Sequence, residues 1–149
     1  MSILVDADAC PVKDIIVDVA QEYKIECTMY FDVSHIYNDG YSRVIYCSKG
    51  MDSVDFKLLN DVKSKDIVVT QDYGLASMCL LKTTYVINQN GLKYTENNID
   101  NLLQTRYISQ KQRKSSHHIK GPKKRTNEQD DKFREEFEKL IISLGVEGQ

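Results

Sequence analysis

Hydrophobic and polar positions alternate along this chain in short blocks, and the spacing inside the blocks switches between extended and helical. Ser2–Val5 is a brief apolar run and predicts strand one. Pro11 suits a first helical turn, where its missing N–H costs nothing. Val12, Ile15, Ile16, Val19 and Ala20 then recur at helical spacing up to Tyr23. Ile25–Phe31 and Arg43–Cys47 predict strands two and three, separated by the turn signal Asn38-Asp39-Gly40. After Gly50, either Asp52 or Ser53 suits the cap of a helix carrying Val54, Leu58, Leu59 and Val62. Ile67–Thr70 predicts strand four, Tyr73–Leu81 a short helix, and Thr84–Ile87 strand five. Asn90-Gly91 is a turn, and a helix follows from about Asn98 to Gln110.

Strands alternating with helices predict an α/β fold of three layers, a mostly parallel five-stranded sheet with helices on both faces. The expected organisation is one α/β domain over residues 1–110, a polar flexible loop at 111–127 around Gly121-Pro122, and a helix at 128–149 docking on the same domain. Phe133, Phe137, Leu140, Ile141 and Leu144 mark the docking face of that helix. The expected strand order is 3-2-1-4-5, which makes strands one and four neighbours where the order reverses. Order 2-1-3-4-5 is the alternative.

Charge changes the picture more than composition does. The 149 residues carry a net charge of −2. Residues 1–105 hold 15 acidic and 9 basic side chains, residues 106–127 hold 8 basic and none acidic, and residues 128–149 hold 7 acidic and 3 basic. A strongly cationic segment inside an acidic protein suggests a polyanionic partner. Its bland alternative is a solvated loop. Cys10, Cys27, Cys47 and Cys79 form no C-x-x-C pair and read as buried thiols of a reducing compartment. The start of the chain lacks a basic stretch followed by an apolar one, so no secretory signal is expected. No apolar run approaches membrane-helix length, so the expected location is cytoplasmic, with no membrane partner.

The candidate chemistry lies in the aspartates. Ligands of a parallel α/β sheet bind beyond the carboxyl ends of its strands. Asp6 ends strand one, and Asp8, two residues on, points the same way in an extended segment. Asp52 and Asp55 follow strand three at a spacing that shares one helix face. Asp72 follows strand four. One aspartate after a strand is ordinarily a cap or turn residue. Three strand ends delivering carboxylate together point to a hard cation with oxygen ligands, Mg²⁺ or Mn²⁺. Asp66 precedes strand four, at the wrong end of the sheet, and reads as a turn residue. Cys10 beside Pro11 lacks any identifiable base and reads as structural, while His117-His118 reads as a solvated pair.

Several blocks resemble one family. They are Val5-Asp6-Ala7-Asp8-Ala9-Cys10-Pro11-Val12-Lys13, Gly50-Met51-Asp52-Ser53-Val54-Asp55, Thr70-Gln71-Asp72-Tyr73-Gly74-Leu75-Ala76, and Lys120-Gly121-Pro122 through Arg125-Thr126 to Asp130 and Phe133. They look like the YaiI/YqxD family of small bacterial proteins, which is in turn similar to PIN-like nuclease domains. That resemblance implies a PIN-like fold, with Asp6, Asp55 and Asp72 at the positions of acidic metal ligands. A further acidic residue of the nuclease pattern has no obvious counterpart, and Asp8 is the stand-in.

Together these give a divalent-metal-dependent nuclease or phosphodiesterase acting on nucleic acid, RNA ahead of DNA. Asp6, Asp8, Asp55 and Asp72 are its candidate catalytic residues, and with Asp52 they are its candidate metal ligands. Lys13, Arg113, Lys114, Lys120, Lys123, Lys124 and Arg125 are its candidate phosphate contacts. Two alternatives stay open. One is a nucleic-acid-binding protein with little catalysis. The other is a metal-dependent phosphatase on a small phosphorylated molecule, which the basic segment disfavours.

Overall fold

A computed structural model describes residues 1–32, 36–49, 53–115 and 124–146. Five parallel strands form a single sheet: β1 (Ser2–Asp6), β2 (Glu26–Asp32), β3 (Arg43–Cys47), β4 (Ile67–Val69) and β5 (Tyr85–Ile87). Their order is β3-β2-β1-β4-β5, the one expected from the aspartate placement. The central strands read as unbroken apolar runs because both faces of a parallel sheet are covered. Ile3, Leu4 and Val5 of β1 and all three residues of β4 are buried.

Five helices make the two outer layers. They are α1 (Lys13–Glu22), α2 (Val54–Asp61), α3 (Tyr73–Cys79), α4 (Glu96–Ser115) and α5 (Asn127–Ser143). One core joins Val5, Met29, Phe31 and Val69 of the sheet to Ile16 and Val19 of α1 and to Phe133, Phe137 and Ile141 of α5. The other joins Leu4, Tyr30, Val68 and Val86 to Leu58 of α2, to Leu75 and Cys79 of α3, and to Ile99 of α4. Residues alternating along each strand feed the two cores in turn, as the pleat requires. Thr126 caps α5 through a reciprocal pair with Gln129, satisfying two backbone donors at the helix start.

Several element ends differ from the sequence reading, among them the helix expected at 128–149, which stops at Ser143. The helix expected from about Asn98 to Gln110 runs Glu96–Ser115, so residues 111–115, expected in the loop, are helical. Lys111, Gln112, Arg113 and Lys114 are good helix formers, and no glycine or proline intervenes before Gly121-Pro122, so the helix propagates. Asp66 is a structural turn residue, accepting from the backbone N–H of Ser2 and of Lys63, each at 2.9 Å. No helix among the described residues is long and apolar enough to cross a membrane.

Candidate functional site

The reversal of strand order puts β1 and β4 side by side, so their carboxyl ends open into the same space. Asp6 is the last residue of β1, and Thr70 follows the last residue of β4. Thr70 Oγ1 donates to Asp6 Oδ2 at 2.8 Å, and the Asp72 backbone N–H donates to the same Thr70 Oγ1 at 3.0 Å. One hydroxyl thus sets the two aspartates against each other.

Asp72 is also the N-cap of α3. Its Oδ1 accepts from the N–H groups of Gly74 at 2.8 Å and Leu75 at 3.2 Å. Asp8 lies in the turn after β1, where both of its carboxylate oxygens accept from the Asp32 backbone N–H, at 3.3 and 3.2 Å. Asp55 sits in the first turn of α2. Asp6, Asp8, Ala9, Gln71, Asp72 and Tyr73 line a concavity of about 370 Å³.

Asp55 is absent from that lining but is electrostatically part of the cluster. Burial pushes the Asp6 carboxyl up from 3.8 to about 6, against the pull of the Thr70 hydrogen bond, with the charges of Asp55, Asp72 and Asp8 adding to the rise. Burial and the charge of Asp72 likewise raise Asp55. Several carboxylates sharing partly desolvated space repel, so each makes the next harder to ionise. Donor chemistry and charge both suit a hard divalent cation. The aspartates do not stand in a ready coordination shell, however. Among the described residues no three His, Cys, Asp or Glu side chains are grouped so as to hold a metal ion.

The remaining site residues fall unevenly. Asp52, Lys120 and Lys123 lie outside the described residues, and Arg113 and Lys114 fall in the last turns of α4 with side chains outside the description. Lys124 is exposed. Two expected phosphate contacts have other work. The Lys13 ammonium donates to the carbonyls of Cys10 at 2.7 Å and Ala7 at 3.2 Å. Arg125 pairs through Nε with Asp130 and donates to Asn90 Oδ1 and to the Gln89 carbonyl, with its side chain only 21% exposed. Long cationic side chains satisfy backbone carbonyls as readily as phosphates, and charge counting cannot tell the two apart.

Cys10 is buried, and its thiol is pushed up by that burial, which suits the structural reading. Three contributors escaped the sequence reading. Thr70 and Gln71 lie in a block singled out only for Asp72, and Asp32 ends β2 beside β1. Strand-end position was the available signal for Asp32.

A larger concavity, about 450 Å³, lies over β1–β3 beside Ser2, Arg43 and Asp66. Two of its three acids are engaged, Asp61 by the Tyr30 hydroxyl at 2.7 Å and Asp66 by the amides above.

Comparison with known proteins adds kinship. A family model described as "Uncharacterized BCR, YaiI/YqxD family" matches residues 4–143. A UPF0178 protein of Clostridium acetobutylicum is 49% identical over 144 residues, covering 95% of this chain and 97% of its own. One from Ruminiclostridium cellulolyticum is 53% identical over 142 residues, covering 95% and 90%. One from Bacillus cereus is 46% identical over 144 residues, covering 95% and 99%. No solved structure matches the chain.

Proposed function

The chain belongs to the YaiI/YqxD family, and we propose that its aspartate cleft binds Mg²⁺ or Mn²⁺ and hydrolyses phosphodiester bonds of nucleic acid, RNA ahead of DNA. The observation that carries this reading is the convergence of Asp6, Asp8 and Asp72 on one concavity, with Thr70 bridging Asp6 to the Asp72 backbone and burial raising the Asp6 carboxyl. A divalent cation relieves that repulsion. Asp6, Asp55 and Asp72 would hold it, with Asp52 and Asp8 as further donors.

Bound there, the ion would polarise a phosphodiester oxygen and acidify an attacking water. The protein's own share is orientation and charge. Thr70 aims Asp6 through its hydrogen bond. Asp72 is fixed by its cap contacts to Gly74 and Leu75. Asp8 is steadied by the Asp32 amide. The basic side chains of residues 106–127, a stretch with no acid of its own, would supply attraction for a polyanion, apart from Arg125, which pairs with Asp130. The cytoplasm is the proposed compartment, supported by four free thiols.

A second reading, a nucleic-acid-binding protein with little catalysis, is favoured by one observation. Asp72 and Asp8 direct oxygens at backbone amides, and no three-donor group stands assembled among the described residues. Cleavage of labelled RNA and DNA panels with Mg²⁺ or Mn²⁺, beside Asp6→Asn, separates the two. Metal-dependent cleavage abolished by Asp6→Asn supports the nuclease. Salt-sensitive binding without cleavage supports the second reading.

A further inference from the structure

The turn that joins β1 to α1 carries Asp8, and its backbone is unusually well held. The Ala7 N–H continues the sheet ladder to the Tyr30 carbonyl at 3.0 Å. The Cys10 N–H closes a turn on the Ala7 carbonyl at 3.1 Å. Backbone carbonyls withdrawn from water need hydrogen-bond partners. Here three of them meet side chains. Lys13 Nζ donates to those of Ala7 and Cys10, and Gln71 Nε2 donates to that of Ala9.

The two donors come from opposite sides. Lys13 opens α1, on the same stretch of chain as the turn. Gln71 stands between Thr70 and Asp72, on the loop from β4 that supplies the other wall of the cleft. The walls are therefore laced twice, by Thr70 to Asp6 and by Gln71 to Ala9. The lacing acts between surfaces that carry like charge, Asp6 and Asp8 on one and Asp72 on the other. Without it, repulsion would favour a wider cleft.

We infer that Gln71, which holds the Asp8 turn against the Asp72 loop, and Lys13, which braces that turn from its own side, are positioning residues that set how tightly the cleft takes a divalent cation. This rests on the cation-binding reading proposed above. Neither side chain needs to touch the ion. Each acts through the backbone that presents Asp8, as partners behind metal ligands commonly do.

Lys13 supplies a test by sign. If it were merely a neighbouring positive charge, removing it would tighten cation binding, because less repulsion would meet the ion. If it positions the turn, removing it loosens binding despite the lost repulsion.

The experiment is calorimetric titration of Mn²⁺ into the wild-type chain, Lys13→Met and Gln71→Ala, each first checked for a folded melt. Both variants are expected to bind Mn²⁺ at least about tenfold more weakly. Unchanged or tighter binding in either folded variant overturns the inference. Should Lys13→Met fail to fold, Gln71→Ala, which changes no charge, decides alone. A wild-type chain that takes up no Mn²⁺ overturns the cation reading itself, and the inference falls with it.

Discussion

The hydroxyl of Thr70 donates to Asp6 Oδ2 at 2.8 Å, and this bond joins the ends of β1 and β4. It stabilises the ionised carboxylate, while burial and three neighbouring acids oppose ionisation and prevail. The outcome is an acid that costs the fold stability at neutral pH.

The sign follows from proton binding. The Asp6 pKa rises from 3.8 to about 6, so within that window the native state binds more protons than the unfolded state. Stability from this group therefore falls as pH rises through the window. Asp6→Asn removes the penalty and keeps an acceptor for Thr70. In metal-free thermal melts the variant is expected to exceed wild type at ~pH 7.5, with the gain vanishing below ~pH 4. A gain that persists at low pH would show that the cost of ionising the buried Asp6 carboxyl is not its source.

Asp72 has two roles that substitution can separate. Asp72→Ala removes the acceptor for the Gly74 and Leu75 amides and should cost ~1 kcal/mol in denaturant unfolding. Asp72→Ser restores a capping oxygen and should recover most of that stability, yet it should not recover the Mn²⁺-induced rise in melting temperature. Recovery of both would reduce Asp72 to a cap.

Arg125 and Lys124 are neighbours with opposite expectations. Arg125→Ala strands Asp130, Asn90 and the Gln89 carbonyl and should cost about 1 to 3 kcal/mol. Lys124→Ala should stay within about 0.5 kcal/mol of wild type, since it is exposed. Equal losses in chemical denaturation would contradict the assignment of Arg125 as a tie between α5 and the turn after β5.

If the basic segment grips phosphates, replacing Lys120, Lys123 and Lys124 with alanine should flatten the salt dependence of nucleic-acid binding. Each lost contact is worth roughly 0.7 to 0.9 of log–log slope. Arg125 is kept in that variant so that folding does not confound it. An unchanged slope would make the segment a solvated surface and would favour a small phosphorylated substrate.

Much of this was legible in the sequence, for a physical reason. Apolar runs such as Ile67–Val69 are short and bounded by polar turns, and the aspartates sit where a parallel sheet opens. That combination favoured order 3-2-1-4-5, with β1 beside β4, over the alternative 2-1-3-4-5, and the sheet has the favoured order. Side-chain partners were not legible. Lys13 and Arg125 count as cations in the sequence, but only the fold shows which carbonyls lie within their reach. The end of α4 was misplaced because its C-terminal turns are polar, and polarity resembles a loop when propensity is not weighed. Asp32 went unnoticed because a strand-end acid beside a turn reads as part of the turn.

The proposed site is one cation shared by carboxylates from separate strand ends. Thermal melts in millimolar Mn²⁺ test that most directly, with wild type beside Asp6→Asn, Asp55→Asn, Asp72→Asn and, as a control, the α5 variant Asp131→Asn. The expected result is a clear rise in midpoint for wild type and Asp131→Asn, as binding to the native state requires, and its loss in each cleft variant. An unmoved wild-type midpoint, or cleft variants that keep the full rise, would contradict it.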